Sequence, residues 1–223
     1  MAGEMSREPT DSVRTILEKG ESLLTLLGQV LDLSRIESGN VMMNREASDI
    51  RELAELSVSD VLPQATNRRL NIGIDDSTDV EPIFLDRDKV RRVLTNLLGN
   101  AVKFTPEGGQ IVVRARVTEE EKAGDERFDM FEPELSRCLR VEVRDSGIGI
   151  PPDKLERIFD TFYQVDNSST RQFGGTGLGL SIARNFIAAH GGRLGVESAM
   201  GQGSVFSFVI PYNAFETQAA GVR

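Results

Sequence analysis

The sequence predicts an α+β domain, a two-layer sandwich in which helices cover one face of a mixed, mostly antiparallel sheet, preceded by a long N-terminal helix. Three observations predict it. Apolar residues recur near helical spacing from Asp11 to Ser38, from Ile50 to Asn67 and from Asp86 to Phe104. Stretches such as "QIVVRARVT", "LRVEVRD", "GRLGVES" and "SVFSFVI" alternate like half-buried strands. Several of these strands follow one another with only a turn or loop between, which favours hairpins over a parallel sheet.

The N-terminal helix carries Val13, Ile16, Leu17, Leu23, Leu24, Leu27, Val30, Leu31 and Ile36 on one stripe and stops at "ESGN". Too little chain lies beside it to cover that stripe, so it is expected to pack on another helix, as in a homodimer; docking on its own domain is the alternative. The helix over 50–67 contains Pro63, where an interruption or kink is expected. "RLNIGID" alternates as a strand. The helix over 86–104 begins at Asp86 or Asp88, good N-cap residues, and stops at "TPEGG". The acidic stretch between the next two strands reads as a long loop at a hairpin tip. "DKLERIFDTF" is expected to form a short helix, and a last helix runs from about Leu178 to His190 ahead of the two closing strands. After Pro211 the tail reads as frayed.

The chain has 223 residues, 39% of them hydrophobic, and a formal net charge of -9. That length supports a full core, and the acidic balance disfavours a broad basic surface for duplex nucleic acid. One cysteine, Cys138, and one histidine, His190, leave no internal disulfide and no Cys/His cluster for zinc. "MAGEMSREPTDS" has no apolar segment of signal-peptide type, and nowhere do about 18 apolar residues run together. No membrane segment and a cytoplasmic location are therefore expected.

Three stretches carry candidate chemistry. On the helix over 86–104, Arg92, Asn96, Asn100 and Lys103 form a polar stripe apart from the apolar face. Asparagine is a poor helix former, so two of them one turn apart call for a reason. A carboxamide oxygen suits Mg²⁺, and a lysine one turn on can meet a phosphate; a plain solvated face accounts for the stripe equally well. In "VEVRDSGIGIPPD" an aspartate at a strand end can accept from an exocyclic amine such as adenine's, while an ordinary Asp-capped turn is the alternative. "GGTGLGL" lacks the Gly-Lys-Ser/Thr ending of a P-loop. It also has Leu180 where a dinucleotide fingerprint needs glycine, and no buried strand ahead of it. What remains is a flexible segment leading into a helix start that favours an anion and can close as a lid.

In this order, "NLLGNAVKFT", "DSGIGI", "IFDTFYQVD", "GGTGLGL" and "GQGSVFSF" resemble the asparagine, first glycine, phenylalanine, second glycine and final glycine motifs of sensor histidine kinases. The resemblance covers roughly residues 45–212. It implies the Bergerat ATP-binding fold shared with gyrase, heat-shock and mismatch-repair ATPases, and ATP with Mg²⁺ as ligands. On that pattern Asn100 binds Mg²⁺, Asn96 stands nearby, and Lys103 approaches the phosphates, these three being the catalytic set. Asp145 reads the adenine amine, Gly147 and Gly149 shape its pocket, and Phe104 and Ile150 line it. Gly175, Thr176, Gly177, Leu178 and Gly179 supply lid contacts, with Arg171 as a lid cation. Phe159 and Phe162 match the phenylalanine box and serve equally well as core anchors. Phe104 stands where the family often has tyrosine.

The resemblance also divides the chain into residues 1–44, part of a dimerisation and phosphotransfer hairpin with its linker; 45–212, the ATP-binding catalytic domain; and 213–223, a tail. The N-terminal helix resembles the second helix of that hairpin, whose first helix carries the phosphoacceptor histidine in the family. No histidine precedes Val13. His190 lies in the last turn of a helix before Gly191 and Gly192, where an imidazole meets carbonyl groups, and a structural role is expected for it. The implied function is transfer of the ATP γ-phosphoryl group to a histidine outside this chain, with a response-regulator receiver domain as partner. Alternatives are a nucleotide-binding module that pairs with another kinase or a response regulator, and a protein-serine kinase of the same fold, against which the long first helix argues.

Overall fold

A computed structural model describes residues 8–39, 41–78, 80–121, 135–165 and 176–212. The chain divides into two compact units, Met1–Val41 and Met42–Arg223. The first holds α1 (Glu8–Glu37), in which Leu17, Leu23, Leu24, Leu26, Leu27, Val30 and Leu31 are between 37% and 70% exposed and Leu33 is half-buried.

The second unit runs β1 (Arg45–Ser48), α2 (Ile50–Asn67), β2 (Asn71–Ile74), β3 (Ile83–Asp86), α3 (Arg87–Phe104), β4 (Gln110–Glu121), β5 (Leu135–Asp145), α4 (Gly179–Ala189), β6 (Arg193–Ala199) and β7 (Gly203–Pro211). Five strands form one sheet in the order β2-β4-β5-β7-β6, parallel only between β2 and β4. β1 and β3 pair separately, antiparallel. The mostly antiparallel two-layer prediction therefore stands.

The layers follow from the period-2 pattern of the strands. Ile111, Val113 and Ala115 of β4 are buried, as are Leu139, Val141 and Val143 of β5 and Phe206, Phe208 and Ile210 of β7. The buried faces of the helices meet this side: Leu53, Ala54 and Val61 of α2, Val90, Leu94, Leu97 and Ala101 of α3, and Ile182, Ala183 and Phe186 of α4. α3 lies between α2 and α4. Its N-cap is Asp86, whose side chain accepts from the Lys89 N–H.

The structure departs from expectation in three places. α2 runs through Pro63 without interruption. The expected helix "DKLERIFDTF" is instead two 3₁₀ turns, Pro152–Lys154 and Arg157–Phe159. Pro151 and Pro152 fix its start and the Leu155 N–H bonds back only three residues, to the Pro152 carbonyl, so an α-helical turn is never nucleated. β1 and β3, four residues each, escape the alternation pattern because each has a single partner and little length.

Candidate active site

α3 positions the first group of side chains. The Asn96 Nδ2 donates to the Gly179 carbonyl over 3.2 Å, which docks the start of α4 against the middle of α3. Asn100, one turn further, is half-buried and makes no hydrogen bond among the described residues. Lys103 follows in the last turn, its Nζ 4.7 Å from the centroid of the Phe104 ring. Burial holds the Lys103 ammonium below the usual lysine pKa of 10.5, since desolvation disfavours the charged form.

β5 delivers the acid. Asp145 is its last residue and is buried. Burial raises its pKa above the usual 3.8, against the opposing pull of main-chain hydrogen bonds from Gly147 and Ser204. The Gly147 N–H reaches the Asp145 Oδ1 at 2.8 Å. A Cβ on Gly147 would sit 2.5 Å from that oxygen and 2.8 Å from the Phe104 carbonyl oxygen, so no larger residue fits between them. The Phe104 carbonyl also accepts from the Ile148 N–H at 3.3 Å. The end of α3 and the turn after β5 are thereby one junction.

The far side of that turn is fastened to the β6–β7 connection. Gly149 has φ +73°, and a Cβ there would run into the Ala199 carbonyl. The Ile150 N–H donates to the Ser198 Oγ at 2.9 Å, and the Gly201 N–H donates to the Ile148 carbonyl at 2.8 Å. Gly149 and Ile150 thus brace the turn from outside, while Gly147 touches the acid itself.

The second glycine segment meets the aromatic one. The Phe162 N–H donates to the Gly177 carbonyl at 3.0 Å. Gly177 has φ +69°, and a Cβ would lie 2.6 Å from the Phe162 carbonyl carbon. The Leu178 N–H donates to the Thr176 Oγ1 at 3.1 Å, and α4 then begins with no side-chain cap hydrogen bond from Leu178, leaving amides at its N-terminus for another acceptor. Phe162 is 66% exposed at φ +64°, which corrects its reading as a core anchor: the left-handed backbone turns its ring away from the core. Phe159 is half-buried with the Arg184 guanidinium 5.9 Å from its ring centroid. Arg171 and Gly175 lie outside the described residues.

Gly147 therefore lies against both Asp145 and Phe104, Asn96 reaches Gly179, and Asn100 and Lys103 lie between these two junctions along α3. A concavity of about 420 Å³ is lined at one end by Asp145, Ser198 and Ser204 and otherwise by Val112, Arg144, Val205 and Glu197, the last four standing in one row across the sheet. It gathers none of Asn96, Asn100 or Lys103. Ser198 and Ser204 were not singled out from the sequence: Ser198 Oγ holds Ile150 and also donates to the Gly203 carbonyl, and Ser204 holds Asp145. The motif "GQGSVFSF" contains Ser204, but only strand register brings it opposite Asp145.

His190 is buried, with its Nδ1 donating to the Phe186 carbonyl at 2.7 Å and its Nε2 accepting from the Asp86 N–H at 3.0 Å. Both ring nitrogens are used, so the imidazole is neutral and ties α4 to the start of α3. Burial lowers its pKa from 6.5. This is the structural role expected.

Among the described residues no three His, Cys, Asp or Glu side chains gather as a metal cluster. A lone carboxamide oxygen without a protein partner, at Asn100, fits Mg²⁺ that keeps waters and shares phosphate oxygens.

Comparison with known proteins gives the family of the chain. Residues 85–214 match the family described as histidine kinase-, DNA gyrase B-, and HSP90-like ATPase. The chain is 37% identical over 209 residues to the sensory/regulatory protein RpfC of Xanthomonas campestris pv. campestris, covering 93% of this chain and 27% of that protein. It is 35% identical over 193 residues to the sensor histidine kinase WalK of Bacillus subtilis, covering 86% of this chain and 29% of that one. The crystal structure of full-length ShkA in complex with AMPPNP superimposes with a TM-score of 0.73 at 30% identity, over 95% of this chain and 40% of that one. The chain spans under a third of the length of these two curated relatives. With more than half of its residues inside the matched segment, it belongs to the histidine kinase-, DNA gyrase B-, and HSP90-like ATPase family, and its folded unit is an ATP-binding catalytic domain of the histidine-kinase kind.

Proposed function

We propose that this domain binds Mg·ATP between the end of α3, the 145–150 turn and the start of α4, and transfers the γ-phosphoryl group to a histidine supplied by another helix. The observation that carries the reading is the wedge of Gly147 between the Asp145 carboxylate and the Phe104 carbonyl, beside the turn that bears Asn100 and Lys103. It sets a buried acceptor for an exocyclic amine next to an open carboxamide and an unpaired ammonium.

In this reading Asp145 accepts the adenine amino hydrogen, and its burial makes that bond costly to leave unmade. Phe104, Gly147, Gly149 and Ile150 line or brace the purine. The Asn100 oxygen would hold Mg²⁺, which would supply charge neutralisation at the phosphates. Lys103 adds a cation, Asn96 fixes the start of α4, and the backbone of Thr176, Gly177, Leu178 and Gly179 offers amides at a helix N-terminus. Gly175 and Arg171 complete the lid contacts. In the transfer, the imidazole lone pair forms a phosphorus–nitrogen bond as the bond to the β,γ-bridging oxygen breaks and ADP takes that electron pair. Positioning and charge neutralisation do the work.

Residues 1–44 then act as part of a dimerisation hairpin and its linker, with the exposed apolar stripe of α1 as the homodimer contact. Residues 45–212 act as the catalytic domain, in the cytoplasm, and a response-regulator receiver domain takes the phosphoryl group onward. No helix among the described residues is long and apolar enough to cross a membrane.

Calorimetric titration with Mg·AMPPNP, followed by radiolabelled ATP and a separately supplied histidine-bearing helix, tests this. Saturable binding and acid-labile phosphate on the supplied helix are expected. Absence of binding would overturn the reading. Binding without transfer to any helix would favour the second reading, a regulatory module pairing with another kinase or a response regulator. The structural commitment of His190, the chain's one histidine, is what keeps that reading alive.

A further inference from the structure

The last carbonyls of an α-helix have no intrahelical partner, and a cationic side chain in the final turn is their natural cap. In α3 that side chain is Lys103, the basic residue of the last turn. Yet its ammonium lies over the Phe104 ring and makes no hydrogen bond or ion pair among the described residues. The carbonyls are already taken. Arg68, at the C-cap of α2, donates its Nη1 to both the Val102 and the Lys103 carbonyl oxygens at 2.6 Å.

The surrounding turn is built to keep Arg68 there. Its own N–H bonds to the Gln64 and Ala65 carbonyls, ending α2. The next residue, Arg69, adopts φ +52°, a left-handed conformation that is costly for a side-chain-bearing residue and persists only where contacts over-determine it. Those contacts are present: the Arg69 carbonyl accepts from the Gly108 N–H at 3.2 Å, its guanidinium pairs with Glu107 at 2.6 Å, and the Asn71 N–H donates to the Gly109 carbonyl at 2.9 Å. Residues 68–71 therefore grip both the end of α3 and the turn that follows it.

We propose that Arg68 is a positioning residue of the nucleotide site: by occupying the terminal carbonyls of α3 it prevents Lys103 from capping its own helix and leaves that ammonium for phosphate. This rests on the reading of Lys103 as a phosphate-binding cation. Arginine suits the task because its wide guanidinium spans two successive carbonyls and is always charged. With Arg68 gone, the Lys103 ammonium is the nearest substitute cap, and the phosphate side of the site loses it.

A double-mutant cycle on the full chain tests this, reading Mg·AMPPNP affinity by calorimetry and folding by circular dichroism. Arg68→Met should weaken binding about tenfold in the parent and less than about twofold in a Lys103→Met background, the coupling expected when one residue acts through another. Arg68→Lys should recover most of the affinity. Arg68→Gln, whose amide still donates to one carbonyl, serves at a lower temperature should Arg68→Met unfold. Equal losses in both backgrounds, or no loss in either, would reduce Arg68 to a purely structural cap and overturn the inference. A parent chain that binds no nucleotide, or a Lys103→Met chain that binds as well as the parent, would instead overturn the reading of the site on which the inference stands.

Discussion

At its N-terminal end α3 joins a carboxylate and an ammonium that satisfy each other and an imidazole that takes a main-chain N–H; about four turns later it carries a carboxamide and an ammonium that bond to nothing described. Asp86 accepts from the Lys89 and Asn44 N–H groups and from the Lys89 Nζ, and the Asp86 N–H is taken by His190. The Asn100 and Lys103 side chains sit on the same helix without hydrogen-bond partners among the described residues. The difference separates two uses of polar residues. A closed, buried network fixes geometry, and an open, half-buried one is held in reserve for a ligand.

Substitutions at the two ends should therefore fail in different ways, and the largest effect is expected at the buried acid that β5 sets beside the open end. Asp145→Asn should weaken Mg·AMPPNP binding by roughly a hundredfold, because a buried charged acceptor is replaced by a group that can present a donor to the amine. Unchanged affinity in calorimetry would remove Asp145 from the purine side. At the closed end, His190→Ala should cost about 1–3 kcal/mol in urea unfolding, since it orphans the Asp86 N–H and leaves the Phe186 carbonyl only its main-chain donor, while the folded variant binds nucleotide as before. A large affinity loss with unchanged stability would reverse the assignment of that end. Asn100→Ala should weaken binding in Mg²⁺ by about tenfold and leave the melting temperature alone, the mark of a group with no structural partner. Equal Mg²⁺ dependence in variant and parent would exclude Asn100 as the metal ligand.

The smallest effect is a pH dependence. The folded pKa of His190 lies below its unfolded value of 6.5, so the unfolded chain binds more protons in the window between the two. The stabilisation from His190 is complete above pH 6.5 and is lost as pH falls through the folded value. Urea midpoints measured across this window should rise with pH in the parent and flatten in the His190→Ala chain; parallel slopes would show that another group titrates.

Much of this was legible from residue spacing. Asn96, Asn100 and Lys103 belong to one helix, so their shared stripe follows from 3.6-residue periodicity, and Asp86 announces itself as an N-cap. Asp145 and Gly147 are neighbours in sequence as well as in space. Ser198, Ser204 and Arg68 were not legible, because each acts through a main-chain group of a distant element: Ser204 through strand register, Arg68 through carbonyls 34 and 35 residues away. No side-chain pattern marks a carbonyl as needing a cap. The two 3₁₀ turns were missed for a related reason, since "DKLERIFDTF" has helical spacing but a start locked by two prolines.

The bond from the Phe162 N–H to the Gly177 carbonyl brings the chain back to its point of departure. That contact ties the exposed Phe162 to the residue two places ahead of α4, and it is made by main chain alone. A fluorophore carried on a cysteine at position 162 should therefore sense displacement at the start of α4, making this position a natural reporter of nucleotide occupancy.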